Sequence, residues 1–216
     1  MMAPLRRIHP EWLAATWISV AASFVVLPAG ALAEPLVATP ARTLAAELRV
    51  ARGDLAMLSD PSLPEAHRKG LEARLTGSLG LLPWLLMKAG DAESTDLLTQ
   101  DSGDDPARLA AIFDGMIETH SFDLAERGDA GVRASALQEA RAIHETYCAG
   151  CHDDTGTGDP EMALPIRDLF GMARAEPGEI FAARLYVGVK GDETIGFRNP
   201  LTERQFLALW RYYSTD

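Results

Sequence analysis

The sequence predicts an all-α protein, because apolar residues recur at helical spacing in separate stretches whose starts carry helix-capping residues. The first stretch, 41–58, has Thr39 or Thr43 near its start and a leucine stripe: Leu44, Leu48, Leu55 and Leu58. The second has Asp105 as cap and Pro106 at the first position, followed by Leu109, Ile112, Phe113, Met116, Ile117 and His120. The third opens on a Thr202/Gln205 capping box, followed by Phe206, Leu207, Leu209, Trp210 and Tyr213.

Residues 1–33 predict an export signal. Arg6 and Arg7 precede an apolar stretch over 13–27, and Ala31-Leu32-Ala33 is a small-x-small cleavage site that would leave Glu34 as the mature N-terminus. An uncleaved membrane anchor is the alternative, although the apolar stretch is short for a bilayer crossing. We therefore expect a periplasmic protein with no stable membrane insertion after cleavage.

The charge balance limits the classes of partner. The 216-residue chain has a formal net charge of −11, and removing the signal takes away two arginines and one glutamate, leaving about −12. An acidic surface disfavours nucleic acid and anionic lipid, and it favours a partner protein with a basic docking surface. Solubility alone is an equally good explanation of the acidity.

Residues 34–130 predict a small helical domain. After the helix over 41–58, Pro64 opens a second helix that Gly77 to Gly80 interrupt. The apolar stretch 81–87 predicts a short buried helix ending at Gly90, and the helix after Asp105 is the fourth. Four helices with short connections indicate a bundle or a pair of hairpins. Three methionines on their apolar faces are expected to pack in the core: Met57, Met87 and Met116.

A second domain is expected over 131–216, after a linker at Asp129-Ala130-Gly131. Ser135 is the expected cap of its first helix. The apolar face of that helix consists of Leu137, Ala140, Ile143 and Tyr147. The helix therefore runs directly into Cys148.

The most specific motif of the chain is Cys148-Ala149-Gly150-Cys151-His152. Two cysteines separated by two residues and followed by histidine are the attachment signature of a c-type haem. In that signature, the thiols reach two vinyl groups of the porphyrin, and His152 turns its imidazole to the iron as the proximal ligand. The motif predicts one covalent haem c.

Three other interpretations of the cysteine pair compete with haem. A zinc site needs four ligands, and no second cysteine pair exists. A thioredoxin-type redox pair follows a strand and begins a helix, whereas here a helix runs into the motif. A structural disulfide between Cys148 and Cys151 is the third alternative.

Residues 131–216 resemble a class I cytochrome c. The resemblance is carried by the helix 140–147 leading into the haem motif, by Gly156 and Gly158 in the loop after it, and by Pro165, thirteen residues past His152. The aromatic-rich last helix is similar to the C-terminal helix that packs across the first helix in that family. The resemblance implies a cytochrome c-like fold, with the proline region accepting the proximal imidazole proton.

The chain departs from this family at the distal side of the haem. The family usually places a methionine in the loop before the final helix, and the matching position here is Ile195, which cannot bind iron. Met162 lies too close to His152 to serve, and no histidine comes after His152 in the sequence.

Three hypotheses for the sixth position remain open. The site is open or water-occupied, lined by Ile195 and Phe197 with Arg198 or Lys190 at its rim. Alternatively, Met172 is an off-register ligand. In the third hypothesis the ligand comes from the N-terminal half, with His120 or His67 ahead of Met116. Lys190 is also a minor candidate ligand.

Three arginines are candidates to pair with haem propionates: Arg167, Arg174 and Arg198. For each of them, an ordinary surface position is the better single explanation.

These expectations favour one-electron transfer by an electron carrier rather than an enzyme. A five-coordinate haem that binds a small diatomic ligand, as a sensor or scavenger, is the alternative that Ile195 suggests. Peroxidase-like activity would need an acid–base residue on the distal side of the haem, and Arg198 is the one candidate that the sequence places near that pocket. A haem subunit of a larger oxidoreductase, docking through the N-terminal half, is the further alternative.

Overall fold

The described residues form a series of helices along the chain. A computed structural model describes residues 39–100, 103, 105–127, 133–153, 168–188 and 201–215. Its α-helices are α1 Pro40–Leu58, α2 Glu65–Ala89, α3 Ala92–Gln100, α4 Pro106–Thr119, α5 Asp123–Glu126, α6 Ala134–Ile143, α7 Ala149–His152, α8 Leu169–Ala175, α9 Gly178–Val187 and α10 Glu203–Ser214. A π-helical turn, His144–Cys148, joins α6 to α7. Because these residues are mostly helical and form no strand, the all-α prediction is confirmed.

Local capping chemistry sets three of the helix starts as predicted. The Thr39 side chain accepts a hydrogen bond from the Arg42 N–H, and Asp105 accepts from the N–H groups at the start of α4. Thr202 and Gln205 form both bonds of a capping box at α10. Ser135 does not cap α6, which begins one residue earlier with no side-chain cap.

Helix α2 corrects the predicted break at Gly77 to Gly80. The helix is continuous through both glycines and through Pro83, and it ends at Gly90 in a left-handed conformation as expected. Glycine costs a helix only about 1 kcal/mol. Packing against α1, α3 and α4 outweighs that cost, through the buried leucines Leu75, Leu82, Leu85 and Leu86.

The stretch 81–87 is therefore the end of a long helix rather than a short buried one. Leu82, Leu85 and Leu86 are buried, but Trp84 and Met87 are 49% and 62% exposed. The core role predicted for Met87 is wrong, whereas Met116 is buried as predicted. The separate helix α3 was not predicted.

Residues on both sides of the predicted boundary at 130–131 share a core. One core cluster joins α1, α5, α9 and α10, with its buried members Ala45, Ala46, Val50, Phe122, Leu124, Ala182, Ala183, Tyr186 and Phe206. The predicted boundary and the predicted signal peptide over 1–33 lie outside the described residues. Among the described helices, none has the length and apolar character that a bilayer crossing requires.

A buried carboxylate connects three helices. Asp54 of α1 is fully buried and forms an ion pair with Arg74 of α2. It forms a second ion pair with Arg184 of α9, whose Nη1 lies 2.8 Å from Asp54 Oδ1. Arg184 also contacts Glu176 at 2.7 Å, and both of those side chains are 9% exposed. Asp54 therefore couples the N-terminal helices to α9.

We expect replacement of Asp54 by alanine to destabilise the protein by about 3 kcal/mol, because it removes the carboxylate partner of Arg74 and leaves the buried Arg184 with Glu176 as its remaining partner. Chemical unfolding followed by circular dichroism measures the loss. The matched control is Asp114→Ala, which removes an exposed carboxylate paired with Arg52 at 2.8 Å and should cost under about 1 kcal/mol. Equal losses in the two variants would contradict the role given to Asp54.

A glycine allows the close approach of α1 and α9. A Cβ placed on Gly53 would lie 2.7 Å from Ile180 Cγ2 and 3.0 Å from Arg184 Nη2. We expect Gly53→Ala to lower the free energy of unfolding by about 1–3 kcal/mol through overpacking. Gly77→Ala is the control within a helix interior, since a Cβ there meets nothing within 4 Å, and it should stabilise by about 0.5–1 kcal/mol. The same sign for both substitutions would overturn this account.

Candidate functional site

The Cys-x-x-Cys-His motif lies at the end of a helix, as predicted. Helix α6 continues through the π-helical turn His144–Cys148 into α7, Ala149–His152. A π-helical turn accommodates one residue more than an α-helical turn and shifts the register of the residues after it. Tyr147, expected on the apolar face, is accordingly 80% exposed, and His144 faces the interior instead.

The two thiols have different surroundings. Cys148 is half-buried, Cys151 is exposed, and no disulfide joins them. Burial raises the pKa of the Cys148 thiol, although a hydrogen bond with Tyr213 acts in the opposite direction. Burial thus favours the thiol form of Cys148, and no disulfide engages either sulfur atom.

His152 is half-buried at the last residue of α7, directly after the exposed thiol. In the part of the chain that the structure describes, no three His, Cys, Asp or Glu side chains gather as a metal-ion site. A zinc site thus gains no support there. A haem iron needs one or two protein ligands, because the porphyrin occupies its other positions.

A cluster of aromatic rings packs behind the motif. The His144 ring lies 5.4 Å from Phe170, 5.8 Å from Tyr212 and 5.5 Å from Tyr213, measured between centroids. Phe170 and Tyr213 contact each other edge to face at 5.1 Å. These rings bring α8 and α10 against the helix that carries the cysteines, as expected for the last helix.

His144 is the residue of this site that the sequence analysis missed. It is 3% exposed, its Nδ1 lies 3.0 Å from the Tyr213 hydroxyl, and its Nε2 lies 3.1 Å from Asp153 Oδ2. Burial is the main reason that the pKa of Tyr213 is raised, so that hydroxyl stays protonated. The signal was available, since His144 comes after Leu137 and Ala140 at helical spacing.

The two histidines proposed from the N-terminal half occupy different settings. His120 ends α4, and its Nε2 lies 2.9 Å from Asp91 Oδ2, while its carbonyl accepts a hydrogen bond from Arg49. His67 lies in α2, half-buried, and its buried Nε2 has no hydrogen-bond partner. Neither belongs to the aromatic cluster around Cys148.

Met172 and Arg174 lie on α8. Met172 is half-buried and packs against the core cluster that α6, α9 and α10 share. The Arg174 side chain is 59% exposed, with Nη2 3.8 Å from Asp168 Oδ2. Their roles as sixth ligand and propionate partner stay predictions.

Several candidate residues lie outside the described residues: Gly156, Gly158, Met162, Pro165, Arg167, Lys190, Ile195, Phe197 and Arg198. The residues proposed for the proximal loop and the distal position are therefore known from sequence alone. The described residues are nevertheless compatible with a haem. Two thiols without a disulfide lie one helical turn apart, an imidazole follows them, and Tyr213 of the aromatic cluster contacts the first thiol.

Comparison of the chain with protein-family models, with curated proteins and with solved structures found no match. The functional interpretation therefore depends on the motif and on its surroundings.

Proposed function

We propose that this protein is an exported c-type cytochrome that carries one covalent haem and transfers one electron at a time. The observation that carries the proposal is Cys148-x-x-Cys151-His152 at the end of a helix, with the aromatic last helix packed against that helix. Two thiols that no disulfide joins and the adjacent imidazole are the groups that covalent haem attachment requires.

Each residue of the motif has a role in this proposal. Cys148 and Cys151 would hold the ring through thioether bonds, and His152 would be the proximal ligand of the iron. The haem, when bound, supplies the redox chemistry by alternating between ferric and ferrous iron. The chain supplies the attachment segment, supported by the packing of α10 against α6, and a surface whose negative charge would steer a basic partner protein.

Haem content after export tests the proposal. We expect the full chain, produced with haem-attachment machinery, to retain about one haem per chain after acid–acetone extraction, because thioether bonds resist that treatment. The double variant Cys148→Ala with Cys151→Ala should lose at least about 90% of the extraction-resistant haem. His120 lies outside the motif, so the variant His120→Gln is the control and should retain the extraction-resistant haem. Complete extraction of haem from the unmodified chain would refute the proposal.

A five-coordinate haem that binds a diatomic gas is the second candidate. Its support is Ile195 at the position that matches the usual methionine, since isoleucine has no atom that binds iron. Two of the candidate replacement ligands also have other contacts, His120 with Asp91 and Met172 with a core cluster. An open iron position would make ligand binding, rather than electron transfer alone, the activity of this site.

Carbon monoxide distinguishes the two candidates. If the sixth position of the iron is open, the ferrous protein should be high-spin and its visible spectrum should shift when carbon monoxide is added. The substitution Ile195→Met should remove most of that shift, because methionine supplies a sulfur ligand. Ile195→Leu keeps the apolar volume without a ligand and should behave as the unmodified protein. A low-spin spectrum insensitive to carbon monoxide would reject the open site, and Met172→Leu, His120→Gln and His67→Gln would then identify the ligand.

Membership of a larger oxidoreductase is compatible with electron transfer. The side chains that favour it are Trp84 and Met87, which are exposed on one face of α2, with Lys88 Nζ 5.7 Å from the Trp84 ring centroid. An exposed tryptophan beside a methionine is typical of contact surfaces. This face is where a docking subunit would be sought.

A further inference from the structure

His144 makes two hydrogen bonds that bracket the haem motif. Its Nε2 reaches Asp153, the residue directly after His152, at 3.1 Å, and its Nδ1 reaches Tyr213 of α10 at 3.0 Å. The Tyr213 hydroxyl in turn interacts with the Cys148 thiol at the start of the motif. One buried imidazole is thus connected to both ends of the segment 148–153.

A carboxylate only accepts, so His144 Nε2–H donates to Asp153. The hydrogen bond between Tyr213 and Cys148 lowers the pKa of the thiol. His144 Nδ1 and the Tyr213 oxygen, 3.0 Å apart, complete a continuous series of bonds from Asp153 to Cys148.

We propose that His144 is a positioning residue for haem attachment, holding the turn 148–153 between Tyr213 and Asp153 so that Cys148 and His152 are presented together. The inference rests on the proposed function, because only attachment to a haem ring requires Cys148 and His152 to be held in a fixed relative position. His144 touches neither ring nor iron in this proposal and acts through its two partners.

The arrangement also survives the attachment reaction. When Cys148 adds to a vinyl group, the C–S bond forms, the thiol hydrogen passes to the neighbouring vinyl carbon, and no oxidant is consumed. Only the bond between the Cys148 sulfur and Tyr213 changes, because the sulfur has lost its hydrogen. The bonds from Tyr213 to His144 and from His144 to Asp153 involve other atoms and remain.

Thiol alkylation in the full chain produced without haem tests the positioning directly. Mass spectrometry of peptides gives the rate at Cys148, and the exposed Cys151 is the internal reference. His144→Phe keeps a ring against Phe170 and removes both hydrogen bonds, and Tyr213→Phe removes one oxygen atom. Rates are taken from pH profiles and compared at full thiolate ionisation, because the Tyr213 bond also lowers the pKa of the Cys148 thiol. We expect this Cys148-to-Cys151 rate ratio to rise about tenfold in His144→Phe and severalfold in Tyr213→Phe, given the usual strength of such bonds.

The control is Tyr212→Phe, which changes a neighbouring ring of the same cluster whose hydroxyl is not in the series of bonds. Its ratio should stay within about twofold of the unmodified protein, because no positioning bond is lost. A second readout is the fraction of haem-loaded chains that are joined through both thioethers, measured from pyridine haemochrome spectra. This fraction should fall in His144→Phe and stay unchanged in Tyr212→Phe.

Unchanged alkylation ratios in both His144→Phe and Tyr213→Phe would overturn the proposal, as would an equal rise in Tyr212→Phe. Circular dichroism and unfolding curves establish that each variant is folded under the alkylation conditions. If the unmodified chain takes up no covalent haem, the proposed function fails, and the alkylation ratios still decide whether His144 positions Cys148.

Discussion

The buried carboxylate of Asp54 is the interaction on which the arrangement of the helices depends. It lies on α1 without solvent exposure and pairs with Arg74 of α2 and Arg184 of α9. A buried charge is tolerable only when its partners are in place, so an alternative packing of α2 or α9 would leave a charge desolvated and unpaired. The absence of a side chain at Gly53 then lets α9 approach closely enough for this pairing.

The position of α9 is transmitted to the cysteine motif by direct packing. Phe181 of α9 is buried and lies 5.8 Å from the Tyr213 ring of α10. Tyr213 in turn contacts His144 and the Cys148 thiol. The N-terminal helices are consequently part of the support of the site, although they contribute no residue to the motif. This packing gives a physical reason for the helices that precede the cysteine motif.

The features that could be predicted from sequence are those decided by nearby residues. The caps at Thr39, Asp105 and Thr202 involve partners two or three positions away, and the structure confirms them. The continuity of α2 across Gly77 to Gly80 depends on leucines packing against other helices, and the pairing of Asp54 with Arg184 joins residues far apart in the chain. The Cys-x-x-Cys-His motif is local and so was visible in the sequence, whereas the bonds of His144 to Tyr213 and Asp153 were not.

The choice of histidine at position 144 calls for an explanation other than stability. The side chain lies among Phe170, Tyr212 and Tyr213 at the crossing of the π-helical turn with α10, where an apolar ring would pack without burying polar atoms. At a buried position, the free energy gained from a hydrogen bond is only slightly larger than the free energy needed to desolvate its groups. Hydrogen bonds add direction, because each joins specified atoms. One bond joins His144 to Asp153, beside His152, and the other joins it to Tyr213, beside Cys148. Together they restrict the geometry of the turn 148–153, whereas apolar contacts would allow it to slide and rotate.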